Sequence, residues 1–138
     1  GNGGILGRVE PCSRGPIYGV AAEMQSNKDG AKSLKSTSAG GLYALYDIEL
    51  PEKKINPDGW NEVRIRLVNG KGTHWFNGDK VYEYEIGSEE WKQRVSKSKF
   101  GKSVDTFGMT KNGHIGFQDH GAKVAFRNIK IRPITSAN

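Results

Sequence analysis

The chain has 138 residues, with 21 Lys and Arg against 15 Asp and Glu, a surplus of 21 − 15 = +6. That length suits one domain, and no apolar run approaches the ~20 residues of a membrane helix. The cationic side chains are scattered rather than interleaved with stacking aromatics, which argues for a solvated basic face and against a nucleic-acid partner. No charged-then-apolar leader opens the sequence, which leaves export undecided. Cys12 is alone, so it makes no internal disulfide and no zinc spacing. Between Pro11 and Ser13 it reads as an idle loop thiol, with a partner cysteine outside this sequence as the alternative.

Residues 3–9 read as a short strand whose glycines favour bends, and residues 11–16 as a turn. Residues 18–25 read as a strand with Tyr18, Val20, Ala22 and Met24 on one face and Glu23 and Gln25 on the other. Residues 26–40 are polar and small, a surface loop. Residues 41–48 return to strand on the alternation of Leu42, Ala44 and Tyr46 with Tyr43 and Leu45. Pro57, Asp58 and Gly59 close a turn.

The clearest β signal spans residues 60–85. Val63, Ile65 and Leu67 alternate with Glu62, Arg64 and Arg66. Asn69-Gly70 and Asn77-Gly78 suit hairpin turns that need positive φ, so three strands are predicted. A simple two-residue turn at Asn77-Gly78 would set His74 opposite Val81 and Trp75 opposite Lys80, with Trp75, Tyr82 and Tyr84 on one face. Residues 88–100 are predicted helical. Ser88 is the N-cap, Glu89 and Glu90 sit at the positive end, Trp91 and Val95 share a face, Glu90 pairs with Arg94, and Gly101 ends the helix.

Residues 113–121 and 122–132 read as two strands joined at a polar corner. In the second, Val124 and Phe126 share one parity and Ile129 and Ile131 the other, which predicts a β-bulge near Arg127-Asn128. Many short strands, regular turns and one minor helix indicate an all-β, antiparallel β-sandwich.

Several side chains suit chemistry. His120 titrates near ~6.5 and can trade a proton at neutrality; Asp119 beside it could fix its tautomer, and Gln118 is two residues away. The alternative is a histidine that merely holds the corner. Glu23 as a base and Gln25 as a ligand for hydroxyls share one strand parity, which also fits an exposed face. Trp75 could stack on a pyranose ring, with His74 beside it; the register above turns His74 inward, as a core histidine. Arg8 could anchor a ketone or a hydroxyl, with a surface arginine as the simpler account, and Tyr43 could line a pocket or pack. His120, Asp119 and Glu23 together offer imidazole and carboxylate donors to a divalent metal, although no spacing demands one.

The stretch Gly113-His114-Ile115-Gly116-Phe117-Gln118-Asp119-His120-Gly121, followed by "VAFRNIKIRPI", resembles the closing segment of the 3-keto-disaccharide hydrolase family. "NGGILGRV", "AEMQSN", "GGLYALYD", "GWNEVRIRL" and "THWFNGDKVYEYE" fit the same pattern in the same order. The resemblance implies a jelly roll of the concanavalin-like lectin and glucanase type. It also implies a secreted or periplasmic enzyme acting on 3-keto-glycosides, with Glu23 or His120 removing the C2 proton and Gln118, Arg8 or a metal facing the enolate. No cofactor is required outright. Family members carry further strands before the point matching Gly1, so residues 1–138 look like the C-terminal two-thirds of such a domain. A second fragment or chain is then expected to complete the sandwich. The alternatives are a non-catalytic carbohydrate-binding module and a structural domain. A conventional glycosidase would need a second carboxylate at ~5–9.5 Å, and no convincing one is present.

Overall fold

Two Asn-Gly dipeptides shape the larger sheet. The computed structural model describes residues 4–9, 17–19, 40–47, 56, 59–118 and 125–134. Within them β3 (Val63–Val68), β4 (Lys71–Phe76) and β5 (Asp79–Glu85) form an antiparallel sheet in chain order. Asn69 and Gly70 take φ of 50° and 81°, and Asn77 and Gly78 take 48° and 90°. Positive φ at both central residues matches the right-handed strand twist, so each turn closes in two residues. Asn77 also bridges. Its Nδ2 donates to Asn61 Oδ1 at 2.8 Å, and its Oδ1 accepts from the Glu62 backbone N–H at 2.7 Å.

The register departs from the simple hairpin at one point. Trp75 faces Lys80 as expected, but His74 faces Tyr82, not Val81. Val81 is therefore an extra residue, a bulge in β5. It moves Tyr82 and Tyr84 to the face of His74 and Phe76 and leaves Trp75 on the other. The expected shared face of Trp75, Tyr82 and Tyr84 is thus corrected.

Helix α1 (Glu89–Lys97) follows. Ser88 caps it, its Oγ accepting from the Trp91 N–H at 3.1 Å. Trp91 and Val95, four apart on one face, are fully buried. The Glu90–Arg94 pair forms at 2.9 Å. The helix stops at Ser98, before the expected Gly101, because Ser98 Oγ accepts from the Phe100 N–H and donates to the Val95 carbonyl. Gly101 instead begins a 3-10 turn, Gly101–Ser103, where a Cβ would meet the Ser96 carbonyl at 2.6 Å.

The core joins the inner face of this sheet to the helix. Tyr82, Tyr84, Trp91, Val95, Phe100 and Phe107 pack with Leu42, Leu45 and Tyr46. Those last three come from a tight turn, not the strand predicted for residues 41–48. Leu45 and Tyr46 both donate backbone N–H bonds to the Leu42 carbonyl, and Ala44 has φ 61°. Buried residues at spacings of three and four explain why alternation misread this segment. Arg94 fastens the turn to the helix, donating to the Leu45 carbonyl at 3.1 Å and lying 4.0 Å from the Tyr46 ring centroid.

A second antiparallel sheet has the order β2 (Ile17–Gly19), β1 (Gly4–Val9), β6 (His114–Gln118). Residues 20–25 of the longer predicted strand lie outside the described residues. Among the described residues, 125–134 join neither sheet. Asn128 has φ 55°, so the phase break falls there as a left-handed residue and not as a ladder bulge. Ile129 and Ile131, expected inward, are 58% and 72% exposed.

Gly72 is the tightest constraint in the larger sheet: a Cβ there would fall inside the buried Tyr84 ring. Gly72→Ala is expected to cost about 1–3 kcal/mol, read as a lower urea midpoint at constant slope. An unchanged midpoint would show that the ring swings aside freely.

Candidate functional site

The small sheet gathers two distant parts of the chain. β1 pairs with β2 through Gly4↔Gly19, Ile5↔Tyr18 and Leu6↔Ile17. It pairs with β6 through Gly4↔Gln118, Ile5↔Phe117 and Leu6↔Gly116. Both neighbours are antiparallel to β1, so β2 and β6 run parallel to each other. Gly19, Gly4 and Gln118 thus form one row, and the outer two lie about 10 Å apart. From this row the chain leaves β6 directly before Asp119 and His120. It leaves β2 at Gly19, 23 − 19 = 4 residues before Glu23. Glu23, Gln25, Asp119 and His120 themselves lie outside the described residues, as does Cys12.

Arg8 is not brought to this row. It is four residues along β1 from Gly4, about 13 Å at strand rise, beyond a register shift and next to the Val9↔His114 pair.

The other candidates sit elsewhere in the fold. His74 is 2% exposed. Its Nδ1 shares a hydrogen bond with the Tyr82 hydroxyl at 2.9 Å, and its Nε2 with the Tyr84 hydroxyl at 3.1 Å. Burial lowers its pKa to about 3, so the ring is neutral at physiological pH. This corrects the sugar-binding assignment: a ring sealed between two tyrosines is the satisfied core histidine that the sequence offered as the alternative. Trp75 lies on the opposite, solvent face, half-buried, with the Arg64 guanidinium carbon 4.6 Å from its ring centroid. Tyr43 is half-buried beside Phe100 and accepts from Lys99 Nζ at 3.1 Å, so it packs against the end of the helix.

Among the described residues no three His, Cys, Asp or Glu side chains gather as a metal site, and no helix is long and apolar enough to cross a membrane. The sequence reading did not single out Arg64 or Arg66. The parity shared with Trp75 through the Asn69-Gly70 turn was the available signal.

Among the described residues the chain is built of antiparallel strands with one α-helix, a predominantly β protein. A solved structure from Parabacteroides distasonis, described as a glycosyl hydrolase, superposes with a TM-score of 0.69 at 29% identity, covering 88% of this chain and 60% of that one. A 3-keto-disaccharide hydrolase of Bacteroides thetaiotaomicron is 32% identical over 132 residues, 85% of this chain and 45% of that protein. The chain thus spans about half the length of that curated relative. The model of the 3-keto-alpha-glucoside-1,2-lyase-like domain matches residues 1–132. The chain belongs to that family.

His74 makes stability depend on pH. Its folded pKa lies below the unfolded ~6.5, so only the unfolded state takes the proton between them, and stability falls as pH drops from ~6.5 toward 3. The full contribution is present above ~6.5; at pH 5 the loss is about 2 kcal/mol. Urea titrations at pH 7 and pH 5 are expected to show a larger gap for the parent than for His74→Gln. Equal gaps would show that the histidine does not carry the effect.

Proposed function

We propose that this chain is the sugar-processing part of a jelly-roll enzyme that cleaves 3-keto-glycosides. One observation carries the reading. Gly19 and Gln118, the last described residues before Glu23 and before Asp119-His120, stand in one row of one sheet. Family membership and the relative's name, 3-keto-disaccharide hydrolase, supply the substrate class.

The chemistry follows from the ketone. A C3 carbonyl acidifies the C2–H bond. Glu23 or His120 takes that proton, and the electron pair moves onto the C3 oxygen as an enolate. The enolate collapses to form the C1–C2 double bond, and the C1–O bond breaks, its pair leaving with the aglycone oxygen, which is then protonated. This is the lyase outcome. Addition of water, hydroxide to C1 and proton to C2, gives net hydrolysis. In this reading Gln118 serves the enolate oxygen or the sugar hydroxyls, and Gln25 holds hydroxyls. General base catalysis of this kind contributes ~10²–10⁴-fold. Aglycone release is expected from a 3-keto-glucoside and not from the plain glucoside. His120→Ala and Glu23→Gln are each expected to lower it at least a hundredfold with the urea midpoint unchanged. Full activity in both variants would remove this assignment, and binding of both sugars without turnover would indicate a carbohydrate-binding module instead.

A further polypeptide completing the sandwich is favoured by a separate observation. Ile115 and Phe117 share one face of β6 and are 54% and 42% exposed, in addition to Ile129 and Ile131. Phe117 packs on Phe126 at 4.9 Å between ring centroids, and the exposed isoleucines are where a further segment would add. The chain alone is expected to self-associate in analytical ultracentrifugation. Ile115→Lys with Ile131→Lys is expected to make it monomeric at a stability cost below about 1 kcal/mol. A parent chain that stays monomeric and binds no apolar dye would count against a missing partner.

A further inference from the structure

The bulge at Val81 gives the larger sheet a second face with its own chemistry. Cross-strand partners share a face, so Arg64↔Trp75, Arg66↔Thr73, Trp75↔Lys80 and Thr73↔Glu83 place six side chains on the side away from His74. Arg64, Arg66, Lys80 and Glu83 are exposed, and Trp75 is half-buried. The lysines of this face have local partners. Lys80 lies 3.2 Å from Glu83, and Lys71 lies 3.8 Å from Glu85. Among the described residues no carboxylate lies within ion-pair distance of Arg64 or Arg66. The positive charge left over on this face is therefore a pair of arginines two residues apart on β3, about 7 Å along the strand.

We propose that this face binds an anionic pyranoside, a sugar bearing a carboxylate or a sulfate, through Arg64 and Arg66 with Trp75 as the ring platform. The proposal rests on the saccharide reading above and adds the charge of the sugar. The indole does two things. It holds the Arg64 guanidinium against its ring, which leaves the planar N–H edge for a two-pronged bond to an oxyanion. It also offers the apolar surface on which a pyranose ring lies. The Glu83 carboxylate is engaged on both oxygens, accepting from the Thr73 hydroxyl at 3.2 Å and pairing with Lys80 at 3.2 Å. The bland alternative is that Arg64 on Trp75 is packing alone.

The test is calorimetric binding to the full chain at ~0.15 M salt, where exposed charges are screened beyond ~8 Å. The probes are a galacturonate oligosaccharide, a sulfated oligosaccharide, a neutral malto-oligosaccharide and inorganic sulfate. At least one acidic oligosaccharide is expected to bind about tenfold more tightly than the neutral one, and the comparison of the two says which acid group is read. Arg64→Lys with Arg66→Lys keeps the charge but removes the fork, and is expected to weaken acidic binding about five- to tenfold. Trp75→Ala is expected to weaken the oligosaccharides and leave inorganic sulfate unchanged. All three side chains are on the solvent face, so unchanged urea midpoints verify the fold of each variant. Equal affinity for neutral and acidic probes, or a lysine pair that binds as well as the parent, would overturn the proposal. Turnover of a neutral 3-keto-disaccharide is a separate readout. Turnover without acidic preference sinks this proposal and leaves the enzyme reading, and acidic preference without turnover does the reverse.

Discussion

One surplus residue in β5 decides how the larger sheet is used. Without Val81 as a bulge, Tyr82 and Tyr84 would project to the side of Trp75, and the His74 ring would lose both hydroxyl partners. A buried imidazole left without hydrogen bonds costs its full desolvation, about 1–3 kcal/mol. The bulge avoids that cost and at the same time builds a layer of rings. Tyr46 stacks on Tyr82 at 5.5 Å, and Tyr84 lies 5.2 Å from Trp91. Trp91 is itself fixed, its Nε1 donating to the Phe107 carbonyl at 3.1 Å. The helix, the 40–47 turn and the 3-10 region all pack on this layer.

The polar atoms in this core are few and each is accounted for. No buried side-chain nitrogen or oxygen among the described residues lacks a hydrogen-bond partner. That is why a histidine can sit beneath a helix without acting as a base. Its nitrogens are spoken for, and burial keeps it neutral. The same reasoning separates the two faces of β4. His74 belongs to stability, whereas Trp75, one residue on, meets solvent and an arginine. Adjacent residues of a strand live in different environments, and a pair read together from the sequence as one site is divided by the pleat.

Local rules carried the parts of the fold that depend on one or two residues. Asn69-Gly70 and Asn77-Gly78 revealed their turns because few other pairs tolerate positive φ twice. Ser88, Trp91, Val95 and the Glu90–Arg94 pair marked the helix for similarly short-range reasons. Two of the misreadings depended on a distant partner. Whether Val81 pairs or bulges is settled by the gain at His74, several residues away in the facing strand. The 40–47 segment alternates in sequence, but its turn is fixed by Arg94, 49 residues from Leu45. The break near Asn128 was visible as a change of parity, while its form, a left-handed residue, was not. The end of β6 at Gln118 was legible from the glycine-bracketed run. The pairing of β1 with both β2 and β6 was not, because register is absent from a single sequence.

The row at Gly19, Gly4 and Gln118 has a kinetic and mechanical meaning of its own. Its outer members are 118 − 19 = 99 residues apart in sequence. Closing a loop of that length costs about 4 kcal/mol of chain entropy by the logarithmic rule. The short β1 strand offsets it by pairing with both at once, Gly4, Ile5 and Leu6 each facing a residue of β2 on one side and of β6 on the other. The whole of β3, β4, β5 and α1 lies within that loop. Gly19 and Gln118 therefore owe their common row to a six-residue strand rich in glycine. Proton abstraction tolerates little displacement between base and substrate, since misplacement by an ångström can cost ~10²-fold. The precision of any site at this row thus rests on how firmly β1 holds its two neighbours.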